Sequence, residues 1–111
     1  GGYAQAISLL ERPNRPTAIF AGSDLQAMGV YEAARQLGLR IPEDLSVVGF
    51  DDVQTAAFLG PALTTVRQPL QDMARAAVRM LVEALTDDVI QPHIIMPTSL
   101  VVRNSTQQLE G

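Results

Sequence analysis

Apolar positions along this chain follow two rhythms. Tyr3, Ala6, Ile7 and Leu10 recur at helical spacing, which predicts a short helix over 3–11, ended by Pro13, Asn14 and Pro16. Residues 17–21 form a short apolar run without polar alternation, the pattern of a strand covered on both faces. Ser23 with Gln26 three places on fits a capping box and opens a helix over 25–37, stopped by Gly38 with Pro42 beyond. Ala27, Val30, Tyr31, Ala34 and Leu37 make its core stripe. Leu25 and Met28 fall on the opposite side, with Gly29 and Glu32. A second buried strand is expected over 45–50, ending at Asp51 and Asp52, then a helical turn over 53–59. A third strand over 61–66 stops at Gln68 and Pro69.

The next helix, over 70–85, is apolar across roughly 200° of its circumference, against about 100° for an ordinary surface helix. Its polar strip holds Asp72, Arg75, Arg79 and Glu83. Two strand-like runs follow, His93 to Met96 and Ser99 to Arg103, before a polar tail from Asn104 to Gly111. Helices alternating with short buried strands predict an α/β fold, a three-layer arrangement around a parallel sheet.

Composition changes this picture in one respect. Of 111 residues 47% are hydrophobic and only 18% charged, below the usual quarter for a soluble domain. A small domain has much surface for its volume, so the shortage of charge implies apolar surface turned toward another subunit or a further domain. Net charge is −4 and lysine is absent, which argues against this chain holding nucleic acid by itself. Absence of cysteine excludes disulfides and thiolate metal sites. No apolar run approaches the ~18 residues of a membrane span. The start shows neither a signal-peptide pattern nor an initiator Met, so the chain is expected to be a portion of a longer protein.

Candidate chemistry gathers where strands end. In open α/β sheets the ligand crevice lies outside the carboxyl ends of the strands. Asp51 and Asp52 stand at such an end. As strand neighbours they point apart and make a poor acid/base dyad, but one carboxylate there can accept two hydrogen bonds from a polyol or an amino-bearing ring; otherwise it is a cap or loop carboxylate. Ser23 and Asp24 stand after the first strand, as helix cap or ligand contact. Gln68 follows the third strand, as crevice amide or plain surface residue. His93 is the only histidine and has no partner at metal-ligand spacing. The serines lack a nucleophile-elbow setting, and no phosphate-binding glycine loop occurs. Nothing in the sequence reads as catalytic.

Four ordered segments carry a family resemblance. They are Arg15 to Ala21 with Ser23, Asp24 and Ala27 to Val30; Gly38 to Asp52; Pro61 to Pro69; and Leu100 to Thr106. Over about 1–106 the chain resembles the effector-binding core of lactose-repressor/galactose-repressor transcription regulators, a periplasmic-binding-protein-like (type I) lobe. The resemblance implies a small-molecule effector (a sugar or purine-like compound) bound between two lobes, a homodimer, no cofactor and no metal, a cytoplasmic location, and operator DNA reached only through a domain outside this chain. It implies that 1–69 belong to the C-terminal lobe, that the helix in 70–92 packs with the other lobe, and that 93–111 return as strands and tail. Asp51 matches the effector-contacting aspartate, Ser23 stands where many members have asparagine, and Gln68 matches a crevice polar position. Asp24 is assigned to helix-start structure. Leu25, Met28 and Leu59 match dimer-interface positions. The alternative is a periplasmic-type solute-binding protein of the same fold; the segment Pro42 to Ser46 and the run Pro61 to Gln68 favour the regulator, and an enzyme is not expected.

Overall fold

In the computed structural model, residues 2–86 and 95–108 are described. The elements are α1 (Gly2–Leu10), β1 (Ala18–Phe20), α2 (Asp24–Gln36), β2 (Ser46–Asp51), a 3-10 turn (Gln54–Phe58), β3 (Thr64–Arg67), α3 (Leu70–Thr86) and β4 (Ser99–Val101). The strands stand in the order β1-β2-β3-β4. β1 pairs parallel to β2 with Ile19 opposite Val47, and β2 pairs parallel to β3 with Gly49 opposite Thr65. The chain divides into two compact units, Gly1–Arg67 with Leu100–Gly111, and Gln68–Ser99.

In the first unit, Ala6 and Leu10 of α1 and Ala27, Val30, Ala33 and Ala34 of α2 pack with Leu45, Val47, Ala56 and Leu63. The small residues on α2 let α1 approach closely. A methyl group at Gly29 would stand 2.6 Å from the Tyr3 nitrogen, so Gly29 lies in the helix–helix contact and not on an outward side with Leu25. α2 starts and stops as its sequence dictates. Ser23 accepts from the Gln26 amide at 3.1 Å, and the Gln26 side chain accepts from Gly22 at 3.1 Å. At the other end Gly38 takes φ +72°, and the Leu39 amide returns to the Ala34 carbonyl at 2.9 Å, a glycine-terminated helix end.

The strands correct one expectation. Burial alternates along β2: Val47 and Gly49 are buried, while Ser46, Val48 and Phe50 are half-buried. In β1, Phe20 is 64% exposed. Both runs read as covered on both faces, yet β1 keeps two of its three residues exposed and β2 buries only alternate positions. An apolar run shows that a strand tolerates burial on both sides; it does not supply the element that buries it.

The end of the chain is more than a polar tail. β4 stops at Val101, short of Arg103. The Arg103 amide then donates to Thr64 Oγ1 at 2.9 Å, and the Asn104 amide to the Ala62 carbonyl at 3.0 Å. The buried Ser105 hydroxyl accepts from the Thr64 amide at 2.8 Å and donates to the Val47 carbonyl at 2.6 Å. The Val47 amide donates to the Ser105 carbonyl at 2.9 Å. This segment therefore joins β2 to the start of β3. Of the run His93 to Met96, Ile95 and Met96 are not in a strand, and His93 and Ile94 lie outside the described residues.

In the second unit, α3 buries Ala76 but exposes Leu70, Val78, Leu81 and Leu85. The wide apolar arc read from its sequence is thus largely uncovered among the described residues.

Candidate functional site

Because β1, β2 and β3 run parallel, their carboxyl ends meet at one edge of the sheet. That edge carries Ser23 and Asp24 after β1, Asp51 to Val53 at the end of β2, and Arg67 closing β3. Asp51 has φ +108° and Asp52 φ +55°. Positive φ is uncommon for a residue with a side chain, though aspartate tolerates it better than most. Such backbone costs of order 1–3 kcal/mol and persists only where surroundings enforce it.

The enforcing contacts are visible. Asp24 is fully buried. One of its carboxylate oxygens accepts from the Val53 amide at 2.7 Å, and the other from the Thr65 hydroxyl at 2.6 Å. Thr65 Oγ1 in turn accepts from the Asp52 amide at 3.3 Å. Gly49 makes room for this arrangement: a methyl group there would overlap Asp24 Oδ1 and stand 2.9 Å from Leu63 Cδ2. Thus the assignment of Asp24 to structure is correct in kind, and its reach extends well past the helix start.

Asp52 has its own partners. Arg67 Nε donates to one oxygen at 2.7 Å and an Arg103 terminal nitrogen to the other at 2.8 Å. Arg103 also donates to the Leu63 carbonyl at 2.8 Å. Burial alone would raise the Asp52 carboxyl; the hydrogen bonds from Arg103 and Arg67 and their charges outweigh it and hold it below its usual value. A carboxylate depressed by folding contributes stability above its unfolded pKa of about 3.9, and that contribution is lost as pH falls through the folded value. Denaturation midpoints should therefore drop on acidification below about pH 4, and less steeply in Asp52→Asn. Urea titrations of both proteins across that range test this; identical acid slopes would count against it.

The structure sorts the residues named from sequence as follows. Asp51 and Ser23 share the carboxyl edge, and the Ser23 hydroxyl caps α2. Gln68 belongs to the second unit, where its carbonyl accepts from the Leu70 amide at 2.9 Å. Leu25 is 76% exposed and Met28 half-buried. Leu59 packs partly against the core, whereas its neighbour Phe58 is 83% exposed. Sequence reasoning missed Asp52, Thr65, Arg67 and Arg103 as one cluster; the signal available was an aspartate doublet at a strand end together with arginines at the ends of two later strands. Among the described residues no group of His, Cys, Asp and Glu could hold a metal. Nor is any described helix long and apolar enough to cross a membrane.

Residues 1–106 match the model of the periplasmic binding protein-like domain family. An uncharacterized HTH-type transcriptional regulator in the aml 5' region of Streptomyces limosus is 51% identical over 109 residues, covering 97% of this chain and 30% of that protein. The chain thus spans about a third of the length of the curated relatives it matches. The lac repressor dimer bound to operator and the anti-inducer ONPF superposes with a TM-score of 0.90 at 31% identity, over 96% of this chain and 37% of that one. The complex of the transcriptional regulator CelR with cellobiose gives 0.86 at 38% identity, over 94% and 32%. All three are named as transcriptional regulators or repressors and none as an enzyme. The chain belongs to the periplasmic binding protein-like domain family, and within it matches the cores of lactose-repressor/galactose-repressor regulators.

Proposed function

We propose that this chain is the effector-sensing and dimerisation module of a cytoplasmic, DNA-binding transcription repressor, without catalytic activity or cofactor. The observation that carries the reading is the Asp51 turn, held in a strained conformation at the carboxyl edge beside Ser23. An ionised carboxylate takes two hydrogen bonds from adjacent hydroxyls, and such charge-assisted bonds are the strong ones. Ser23 adds a hydroxyl beside it, and Gln68 is carried as a separate candidate amide of the second unit. The effector is a sugar or a purine-like compound, and the match to the CelR–cellobiose complex favours the sugar. Residues 1–69 act as the C-terminal lobe, the helix within 70–92 packs with the other lobe of the core, and 93–111 return to the first. Leu25, Met28 and Leu59 contribute to an isologous dimer contact, in keeping with the dimeric lac repressor match. With net charge −4 and no lysine, operator DNA is reached through another domain of the protein.

Calorimetric titration of the full-length protein with cellobiose, ribose, galactose and hypoxanthine tests the site. Asp51→Ala should weaken binding by about 1–3 kcal/mol, the cost of stranding a buried hydrogen-bonding partner. Unchanged affinity in that variant would remove Asp51 from the site.

A further inference from the structure

We infer that Asp24 and Thr65 are positioning residues for Asp51: buried and out of reach of any ligand, they fix the backbone that presents its carboxylate. What Asp51 contacts rests on the functional reading above; how it is held does not. The Asp52 amide hydrogen belongs to the same peptide unit as the Asp51 carbonyl. Thr65 Oγ1 accepts it, with the Asp52 nitrogen 3.3 Å away, so the plane following Asp51 is pinned. The next plane is pinned by the Val53 amide on Asp24 at 2.7 Å. With both planes fixed, the two aspartates have little left but positive φ, +108° and +55°.

The chemistry of Thr65 is specific. Its hydroxyl accepts from Asp52 and donates to Asp24 at once, a double role open to serine and closed to valine. Both Thr65 and Asp24 are completely buried, and Thr65 lies opposite the side-chain-free Gly49, so nothing stands between it and Asp24. An ordinary buried threonine would stabilise the strand without setting the φ of a residue on its neighbour.

Crystal structures of the full-length protein, Thr65→Val and Thr65→Ser decide the matter without any ligand. In Thr65→Val, Asp51 should leave positive φ for the extended region; in Thr65→Ser it should stay. Should Thr65→Val not fold, Thr65→Ala, which also removes the hydroxyl that accepts from the Asp52 amide, gives the same readout. Asp51 still near its parent φ in the variant that folds overturns the inference. Binding of cellobiose gives a second readout. Thr65→Val should weaken it about tenfold, the equivalent of one hydrogen bond, and should cost nothing further when added to Asp51→Ala. Equal losses in both backgrounds would mean a merely structural threonine. If cellobiose binding ignores Asp51→Ala, the functional reading falls, while the φ readout still decides the positioning.

Discussion

Gly49→Ala should cost the first unit about 3 kcal/mol or more, combining overpacking with damage to a buried charged hydrogen-bond group. The added methyl overlaps Asp24 Oδ1 and stands 2.9 Å from Leu63 Cδ2 and 3.3 Å from Asp24 Cα. None of these neighbours can yield cheaply. The carboxylate is tied to Val53 and Thr65, Leu63 is a fully buried core residue, and Cα is backbone. Gly22→Ala is the contrasting variant. There the methyl meets only the end of the Gln26 side chain, at 2.9 Å, which swings aside for about 1 kcal/mol or less. Urea denaturation of the two variants reads the difference. Equal destabilisation at both sites would mean that loss of glycine, and not the crowding of Asp24, sets the cost.

Cutting the chain after Val102 should abolish cooperative folding of the first unit. The cut removes Arg103, one of two cations on Asp52, and the Asn104 bond to Ala62. It also removes Ser105, whose hydroxyl serves the Thr64 amide and the Val47 carbonyl together. Each buried group left without a partner costs about 1–3 kcal/mol, and total stabilities are only about 5–15 kcal/mol. The point variant Ser105→Ala isolates one part of this and should cost about 2–4 kcal/mol, two stranded backbone groups at the lower end of that range. Circular dichroism melts and limited proteolysis measure both. A truncated protein that melts cooperatively at the parent temperature would show that the tail merely lies on a sheet stable without it.

Elements made by local rules were legible in the sequence. The capping pair Ser23 and Gln26, the stop at Gly38 and the prolines placed α2 within a residue of its observed bounds. The parallel pairing followed from helix–strand alternation. What escaped was non-local. Asp24 reads as a helix-start aspartate because its partner Thr65 is 41 positions away, and no spacing rule joins them. Ser105 sits in a stretch that is polar by composition, yet it is completely buried, because a hydroxyl with one donor and one acceptor to satisfy can stitch two strands. Gly29 was misplaced for a similar reason: a helical wheel gives direction, not which neighbour stands there. The 3-10 turn leaves Phe58 outward and Leu59 half-buried beside the core, an orientation that no spacing rule gives.

The first two residues of α2 face opposite worlds. Asp24 is sealed inside, gripping the turn after β2, and Leu25, one peptide bond later, is 76% exposed. A thirteen-residue helix is a stiff rod about 20 Å long, and adjacent residues on it cannot move separately. Any shift of the Asp51 turn that drags Asp24 must therefore roll Leu25, and Met28 behind it, by a matching amount. No relay of side chains is needed between the carboxyl edge of the sheet and the outer surface of the helix. The helix acts as a crank whose pin and handle are consecutive residues.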